Sequence, residues 1–397
     1  MLMLSATIVV LNGAENTVSA DTESELYYDF DEATGEATLN RNNRYVNIEH
    51  VVIPETVVSP NGVTCTVVAI AEKAFGNVDG YMRNESIVSV TIPSTVKTIG
   101  QYAFGRCSSL TSVHLSEGLE TIDKFAFWKT SVENLIIPES VTFMGQSICE
   151  ECHYLETVEA RSTAPLGDFA FKNCYSLESA TIHSAGTGRS AFGGCTSLKN
   201  VVMMDGLTVL GDFVFNGDQD LYRIEFPDTL TTMPSNIFNY TSTESSGQMF
   251  HFFDENDQEL ALTVENMKGK VWQKFGDRFM QVTRLMLDGN GGTLTCVADQ
   301  YIRVKDPVTI TNPTRSGYIF GGWDPAIPTM MPSTDISSKA IWNVAVPSPY
   351  TVFIFDNTTH TALHNNLTYT VSGEVSGKDA KKYTATATLT NPENSQW

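Results

Sequence analysis

Basic residues are scarce in this chain: 25 Lys and Arg stand against 46 Asp and Glu, a formal net charge of -21 with a sequence pI near 4.6. A nucleic-acid partner is excluded on this ground, because affinity for a phosphate backbone rests on clustered Lys and Arg. Acidity of this degree favours solubility outside the cell. Long apolar runs are also missing, and no stretch reaches the roughly 18 residues of a membrane-spanning helix. Signatures of catalysis are absent too: no H-E-x-x-H, P-loop or G-x-S-x-G occurs, and the histidines His50, His114, His153, His183, His251, His360 and His364 are scattered. The chain is read as a non-enzyme with no cofactor and no metal.

What it has instead is a period. An apolar anchor recurs at Ile87, Leu110, Val132, Leu155, Leu177, Leu198 and Leu221, at spacings of 23, 22, 23, 22, 21 and 23 residues. That is too short for a helix pair and too long for a hexapeptide β-helix, so each period supplies one short strand and one compact return segment of a solenoid. A second ladder is aromatic or branched: Phe75, Phe104, Phe127, Ile148, Phe171, Phe192, Phe215 and Phe238. It is usually preceded by a small residue, as at Ala74, Ala103, Ala126, Ser147, Ala170 and Ala191. A third places Cys107, Cys152, Cys174 and Cys195 three residues before an anchor, with Lys129 and Asp218 breaking the series. Small, soft thiols suit a tight buried turn.

The strands follow the anchors: Val90-Thr91-Ile92, Val113-His114-Leu115, Leu135-Ile136-Ile137, Val158-Glu159-Ala160, Ala180-Thr181-Ile182, Val201-Val202-Met203 and Ile224-Glu225-Phe226. Their outer residues point inward and the middle one outward, as alternation along a half-buried strand requires. Stacked about 4.8 Å apart, seven such strands present a continuous parallel face about 30 Å long. Its candidate partner-binding residues are Thr91, His114, Ile136, Glu159, Thr181, Val202, Met204 and Glu225. The apolar members Ile136, Val202 and Met204 are the candidate anchors, although isolated apolar residues on a strand are ordinary. Glu159 and Arg161 lie on rungs between His114 and His183, an arrangement that admits a metal or polar-ligand site but is read first as solvent-facing.

In-register cysteine side chains point in parallel, which favours buried free thiols over a disulfide between rungs. Cys149 and Cys152 have C-x-x-C spacing, but Cys152 already belongs to the ladder, so a redox or zinc site is the lesser reading.

Ile92-Pro93, Ile137-Pro138, Ile99-Gly100, the Ala-Phe pairs and the Cys-x-Ser-Leu of Cys107 to Leu110, Cys174 to Leu177 and Cys195 to Leu198 resemble the BspA-like leucine-rich repeats of secreted and surface-anchored microbial proteins. The likeness covers roughly residues 50 to 240. It implies a binding module whose partner is a host or microbial surface protein or a glycan. A second resemblance lies in Asp288-Gly289-Asn290-Gly291-Gly292, Gly317-Tyr318-Ile319-Phe320-Gly321-Gly322-Trp323 and Ala340-Ile341-Trp342, which are similar to the internalin-type B-repeat. There Tyr318, Phe320, Trp323 and Trp342 are expected to form most of a small core. The resemblance implies a stalk or accessory module.

The fold class expected is mainly β with short helical and turn segments: a leucine-rich-repeat solenoid followed by small β modules, a β-grasp-like B-repeat and a partial immunoglobulin-like sandwich. The expected divisions are a signal-peptide remnant over 1–20, an N-terminal cap and first repeat over 21–84 and repeats over 85–240. A C-terminal cap or connector over 241–282, the B-repeat over 283–345 and the partial immunoglobulin-like domain over 346–397 complete them. Ala6 to Leu11 followed by Val18-Ser19-Ala20 reads as the later part of a secretory signal whose start lies upstream, and the ending at Trp397 reads as a truncation. Within 21–84, a hairpin with Asp31 to Gly35 as its turn is expected to cap the first repeat. Phe252 to Asp257 is expected to form a second hairpin, and Glu265 to Phe275 a short amphipathic piece. The chain is thus read as a secreted or cell-surface adhesion protein, with a structural spacer as the alternative.

Overall fold

A computed structural model describes residues 26–40, 48–76, 85–239 and 250–344, and the backbone of four short strands beyond. The signal-like segment, the linker Val346-Pro347-Ser348-Pro349 and most of the immunoglobulin-like region lie outside the described residues. Of that last region, His360–Thr361 pairs antiparallel with Ser376–Gly377, and Tyr369–Gly373 pairs antiparallel with Ala385–Leu389. The protein is mainly β. Among the described residues the α-helix is confined to Val264–Met267. The chain divides into two compact units, residues 1–281 and 282–397.

In the first unit each period makes one longer strand, and several make a second, shorter one. The longer ones are His50–Val52, Ser89–Ile92 and Ser112–Leu115, then Asn134–Ile137, Thr157–Ala160, Ser179–Ile182, Asn200–Met203 and Arg223–Glu225. Neighbours within each of these two groups are parallel and in register. A second ladder of two-residue strands, Thr98–Ile99, Thr121–Ile122 and Phe143–Met144, was not anticipated from the sequence. It continues as single bridges, Leu166 with Thr187 and Val209 with Thr232. The N-terminal hairpin Tyr27–Asp31 and Glu36–Asn40 forms, its turn fixed by Asp31 Oδ1 accepting from the backbone N–H of Ala33. It joins this second ladder, through Thr64–Ile70.

Between the ladders runs the turn that carries the phenylalanines. Its backbone N–H groups reach the following turn: Phe104 to Ala126 O, Phe127 to Ile148 O, Cys149 to Ala170 O, Phe171 to Ala191 O, Phe192 to Val214 O and Phe215 to Ile237 O. The series corrects the sequence reading at one rung. Cys149, not Ile148, occupies the phenylalanine position, and Ile148 stands where other turns have Ala. Left-handed residues confirm the register. They fall two places before the series at Tyr102, Phe125, Ser147, Phe169, Ser190 and Phe213, and two places after it at Arg106, Lys129, Glu151, Asn173, Gly194 and Gly217. Ser147 is therefore a turn residue and not the small residue before a phenylalanine.

The same register moves the break in the cysteine ladder. Three places beyond the phenylalanine position stand Cys107, Thr130, Cys152, Cys174, Cys195 and Asp218, so Thr130 replaces the thiol and Lys129 only turns the chain. The ladder thiols donate to a carbonyl one rung back: Cys107 to Phe75 O, Cys152 to Phe127 O, Cys174 to Cys149 O and Cys195 to Phe171 O, at 3.0–3.7 Å. None of the seven cysteines is bridged in this structure.

The core follows from this geometry. Every anchor is buried, and the rings of Phe75, Phe104 and Phe127, then Phe171, Phe192, Phe215 and Phe238, stack face to face at 5.2–5.9 Å. Phe75, at the end of its stack, is only partly buried. Neighbouring turns approach closely at Gly76, Gly100, Gly145, Gly167, Gly188 and Gly211. A Cβ on Gly167 would lie 2.1 Å from the carbonyl oxygen of Gly145.

Where the repeats stop, the stretch expected to be one amphipathic piece divides at Gly269, whose φ is +67°. The helix Val264–Met267, capped by the Thr263 hydroxyl accepting from Asn266, precedes the strand Val271–Phe275. That strand lies antiparallel on Arg223–Glu225 and covers its edge. His251–Phe253 and Glu259–Leu260 form the predicted hairpin, and Phe252 joins Trp272 and Phe279 in the core.

In the second unit, the continuation of Arg278–Asp288 pairs antiparallel with Asp299–Arg303 and parallel with Ile336–Val344, which in turn pairs antiparallel with Tyr318–Asp324. Its core centres on Leu285, Leu287 and Met331. Of the expected aromatic core only Trp342 is buried, while Tyr318, Phe320 and Trp323 are half-buried. Trp323 packs against that aliphatic cluster. The indole N–H of Trp342 donates to Gly289 O at 3.0 Å, and a Cβ on Gly292 would lie 2.2 Å from the Trp342 ring. The glycine loop and the trailing tryptophan thus form one contact.

Candidate recognition face

Along the longer strands, residues at odd and even positions separate cleanly. Val90, Ile92, Leu135, Ile137, Val158, Ala160, Ala180, Ile182, Val201, Met203 and Ile224 are buried. The residues between them form a column on the other face. Val52 pairs with Thr91 and Thr91 with His114; beyond a break, Ile136 pairs with Glu159, Glu159 with Thr181, Thr181 with Val202 and Val202 with Glu225. Thr91, His114 and Ile136 are exposed, and Glu159, Thr181, Val202 and Glu225 are half-exposed. Met204, 39% exposed, follows the strand end and donates its N–H to Ile182 O.

The face is not the single seven-stranded ladder expected. Ser112–Leu115 and Asn134–Ile137 belong to separate sheets, joined at their start by the Glu133 N–H on Thr111 O. The cause lies in the sequence. From Phe104 onward the phenylalanine position and the anchor are six apart in every turn except the one before the break, where Phe127 and Val132 are five apart. Val113, facing the break, is correspondingly only half-buried.

The polar centre of the face is an ion pair. Arg161 Nε and Nη2 donate to Glu159 Oε1 and Oε2, each at 2.9 Å. This fork holds the Glu159 carboxyl below its ordinary range, and the Arg161 charge adds to the effect. A paired carboxylate flanked by Ile136 on one rung and Val202 and Met204 beyond the next offers alternating charge and apolar surface. It offers no nucleophile or general base held against a second reacting group. Among the described residues no cluster of three or more His, Cys, Asp or Glu could hold a metal ion.

Val52 is the member of this column that the sequence reading missed, and at 62% it is the most exposed of the apolar residues there. Its signal was present: Val51-Val52-Ile53-Pro54 repeats the pattern of Val90-Thr91-Ile92-Pro93. A second cluster also went unread. Tyr102 stacks on Phe125 at 4.7 Å, and Arg106 and Lys129 cover Trp128 at 4.7 and 4.8 Å. These side chains occupy the left-handed turn and its surroundings, where no alternation marks them.

Residues 77–187 and 166–246 match the BspA type leucine-rich repeat region, in six copies. No curated protein matches the chain. Among solved structures, a leucine-rich repeat protein of T. pallidum is 26% identical over 49% of this chain and 87% of its own, with a TM-score of 0.41. One from Bacteroides capillosus ATCC 29799 is 34% identical over 32% of this chain and 86% of its own, TM-score 0.27. A leucine rich cell surface protein of Faecalibacterium prausnitzii A2-165 is 18% identical over 58% of this chain and 97% of its own, TM-score 0.21. In-phase anchors and stacked phenylalanine turns run through the same residues, 77–246, over which the chain matches the BspA type leucine-rich repeat region.

Proposed function

We propose that this is a secreted or cell-surface adhesion protein. Its repeats form a solenoid whose outward strand residues, Val52, Thr91, His114, Ile136, Glu159, Thr181, Val202, Met204 and Glu225, bind a surface protein or glycan. The observation that carries this reading is the separation of faces: burial accounts for one side of every longer strand and leaves the other with apolar groups at Val52, Ile136 and Met204 that the core does not use. Exposed apolar residues around a charged fork suit a protein surface, where anchors supply affinity and the ion pair supplies orientation. A cell-surface description of the Faecalibacterium relative supports the location. The second unit, with its loop-to-tryptophan contact, is proposed as an internalin-type B-repeat acting as a stalk. The test is binding of the purified chain to intact cells and to a glycan array. Saturable binding supports adhesion, and uniform absence of binding favours a structural spacer.

A further inference from the structure

One turn of the repeat departs from the others in three ways, and all three concern sulfur. The phenylalanine position is occupied by Cys149, so the ring stack stops at Phe127 and resumes at Phe171. Second, Cys149 Sγ lies 2.8 Å from Cys152 Sγ, with both side chains buried. This is closer than a thiol hydrogen bond requires, and it comes in addition to the carbonyl contact that Cys152 shares with Cys174 and Cys195, which also face each other. Third, the carbonyl that receives the Cys152 thiol proton has a second side-chain donor, beside the backbone N–H that the equivalent carbonyls Cys149 O and Phe171 O also receive. Phe127 O accepts from Thr130 N at 3.2 Å and from Thr130 Oγ1 at 3.0 Å. Phe171 O and Cys149 O, which receive the thiols of Cys195 and Cys174, have no such hydroxyl beside them: Cys174 and Cys152 stand where Thr130 stands.

We infer that Cys149 and Cys152 close a disulfide across this turn, in the protein as it is exported. Loss of the Cys152 proton leaves no carbonyl orphaned, because Thr130 already serves Phe127 O, and the sulfur pair takes the interior place of a ring. The same exchange at Cys174 or Cys195 would strip a buried carbonyl of its side-chain donor. The oxidant is a disulfide, either glutathione disulfide or a dithiol oxidoreductase. One cysteine thiolate attacks a sulfur of the oxidant and releases one thiol. The second cysteine thiolate then displaces the remaining thiol from the mixed disulfide. Two protein thiols become one S–S bond, and the oxidant is reduced to two thiols. Burial raises the Cys149 thiol well above its ordinary range, so the exchange belongs to folding, before the turn closes, and the finished bond is shielded from reductant.

The inference rests on the proposed export of the chain, and its test separates the two. The full chain is unfolded in reductant, refolded with glutathione disulfide, alkylated in denaturant without reductant and digested with trypsin. Cys149 and Cys152 are the only cysteines of the peptide from Thr130 to Arg161. The expected result is this peptide unalkylated and lighter by two hydrogens, with the other five of the seven cysteines alkylated. Cys149→Ser should leave Cys152 alkylated, and Thr130→Val should reduce the yield of the linked peptide. Full alkylation of the peptide, or linkage of either cysteine to Cys174 or Cys195, would overturn the inference. Chain recovered from its native source with both thiols reduced, after the refolded chain had closed the bond, would instead count against export.

Discussion

Asp218 is the residue that sits most awkwardly in the fold. It occupies a thiol position of the ladder, fully buried, with Oδ1 accepting from Cys195 N at 2.8 Å and Oδ2 lacking a partner. Burial raises its carboxyl well above the ordinary carboxylate range, and Cys195 adds to the shift. The folded form therefore keeps a proton that the unfolded chain releases. Its contribution is fully present below the unfolded carboxylate range and is lost as pH rises toward the folded value. Denaturant unfolding between pH 5 and pH 8 should show stability falling with pH, and Asp218→Asn should flatten that slope and raise stability at pH 8 by on the order of 1–3 kcal/mol. An unchanged slope would place the proton elsewhere. Gly167 makes the opposite case, with no side chain and no room for one: Gly167→Ala should cost roughly 3 kcal/mol, read by the same unfolding measurement. The glycine was visible in the sequence, but its reason was not, because only the neighbouring backbone shows which residue the missing Cβ would meet.

At the scale of the element, the turn carrying the phenylalanines decides the energetics. Phe192 stacks on Phe171 and Phe215 and is completely buried. Phe192→Ala should cost about 3–5 kcal/mol in unfolding free energy, and a loss under 1 kcal/mol would show that the turns do not share one core. Anchors, strands and most phenylalanines were legible because burial at a fixed period leaves a mark on composition. The turn around Cys149 was not. Ile148 is apolar and bulky, so it imitates a phenylalanine in sequence, and only the backbone hydrogen bonds assign that position to Cys149. Thr130 was hidden for a related reason: the turn from Phe127 to Val132 is one residue short, and counting back from the anchor reaches Lys129 instead. The second ladder left little mark because two-residue strands are too short for alternation. In the second unit, Trp342→Phe keeps an aromatic side chain but loses the indole N–H to Gly289 O and part of the packing on Gly292, for an expected loss of at least about 1 kcal/mol.

For the whole molecule, the strong negative charge and the outward strand column act together. Net charge keeps such a surface soluble and repels acidic partners at long range, so recognition must come from short-range contact. Binding to a partner should therefore strengthen modestly as salt rises and like charges are screened, if the partner is also acidic. The candidate column itself was largely legible, since seven of its residues are the strand centres flanked by core positions. Val52 was missed where the repeat begins, and the break beside Ile136 was invisible because it depends on a turn length and not on a residue type. The most direct measurement compares cell and glycan-array binding by the chain, by the double variant Ile136→Asp with Val202→Asp, and by Phe143→Asp, a residue 52% exposed on the second ladder. The account predicts that the double variant loses binding at least tenfold with its thermal unfolding unchanged, while Phe143→Asp binds as the parent does. Equal binding by all three would contradict it.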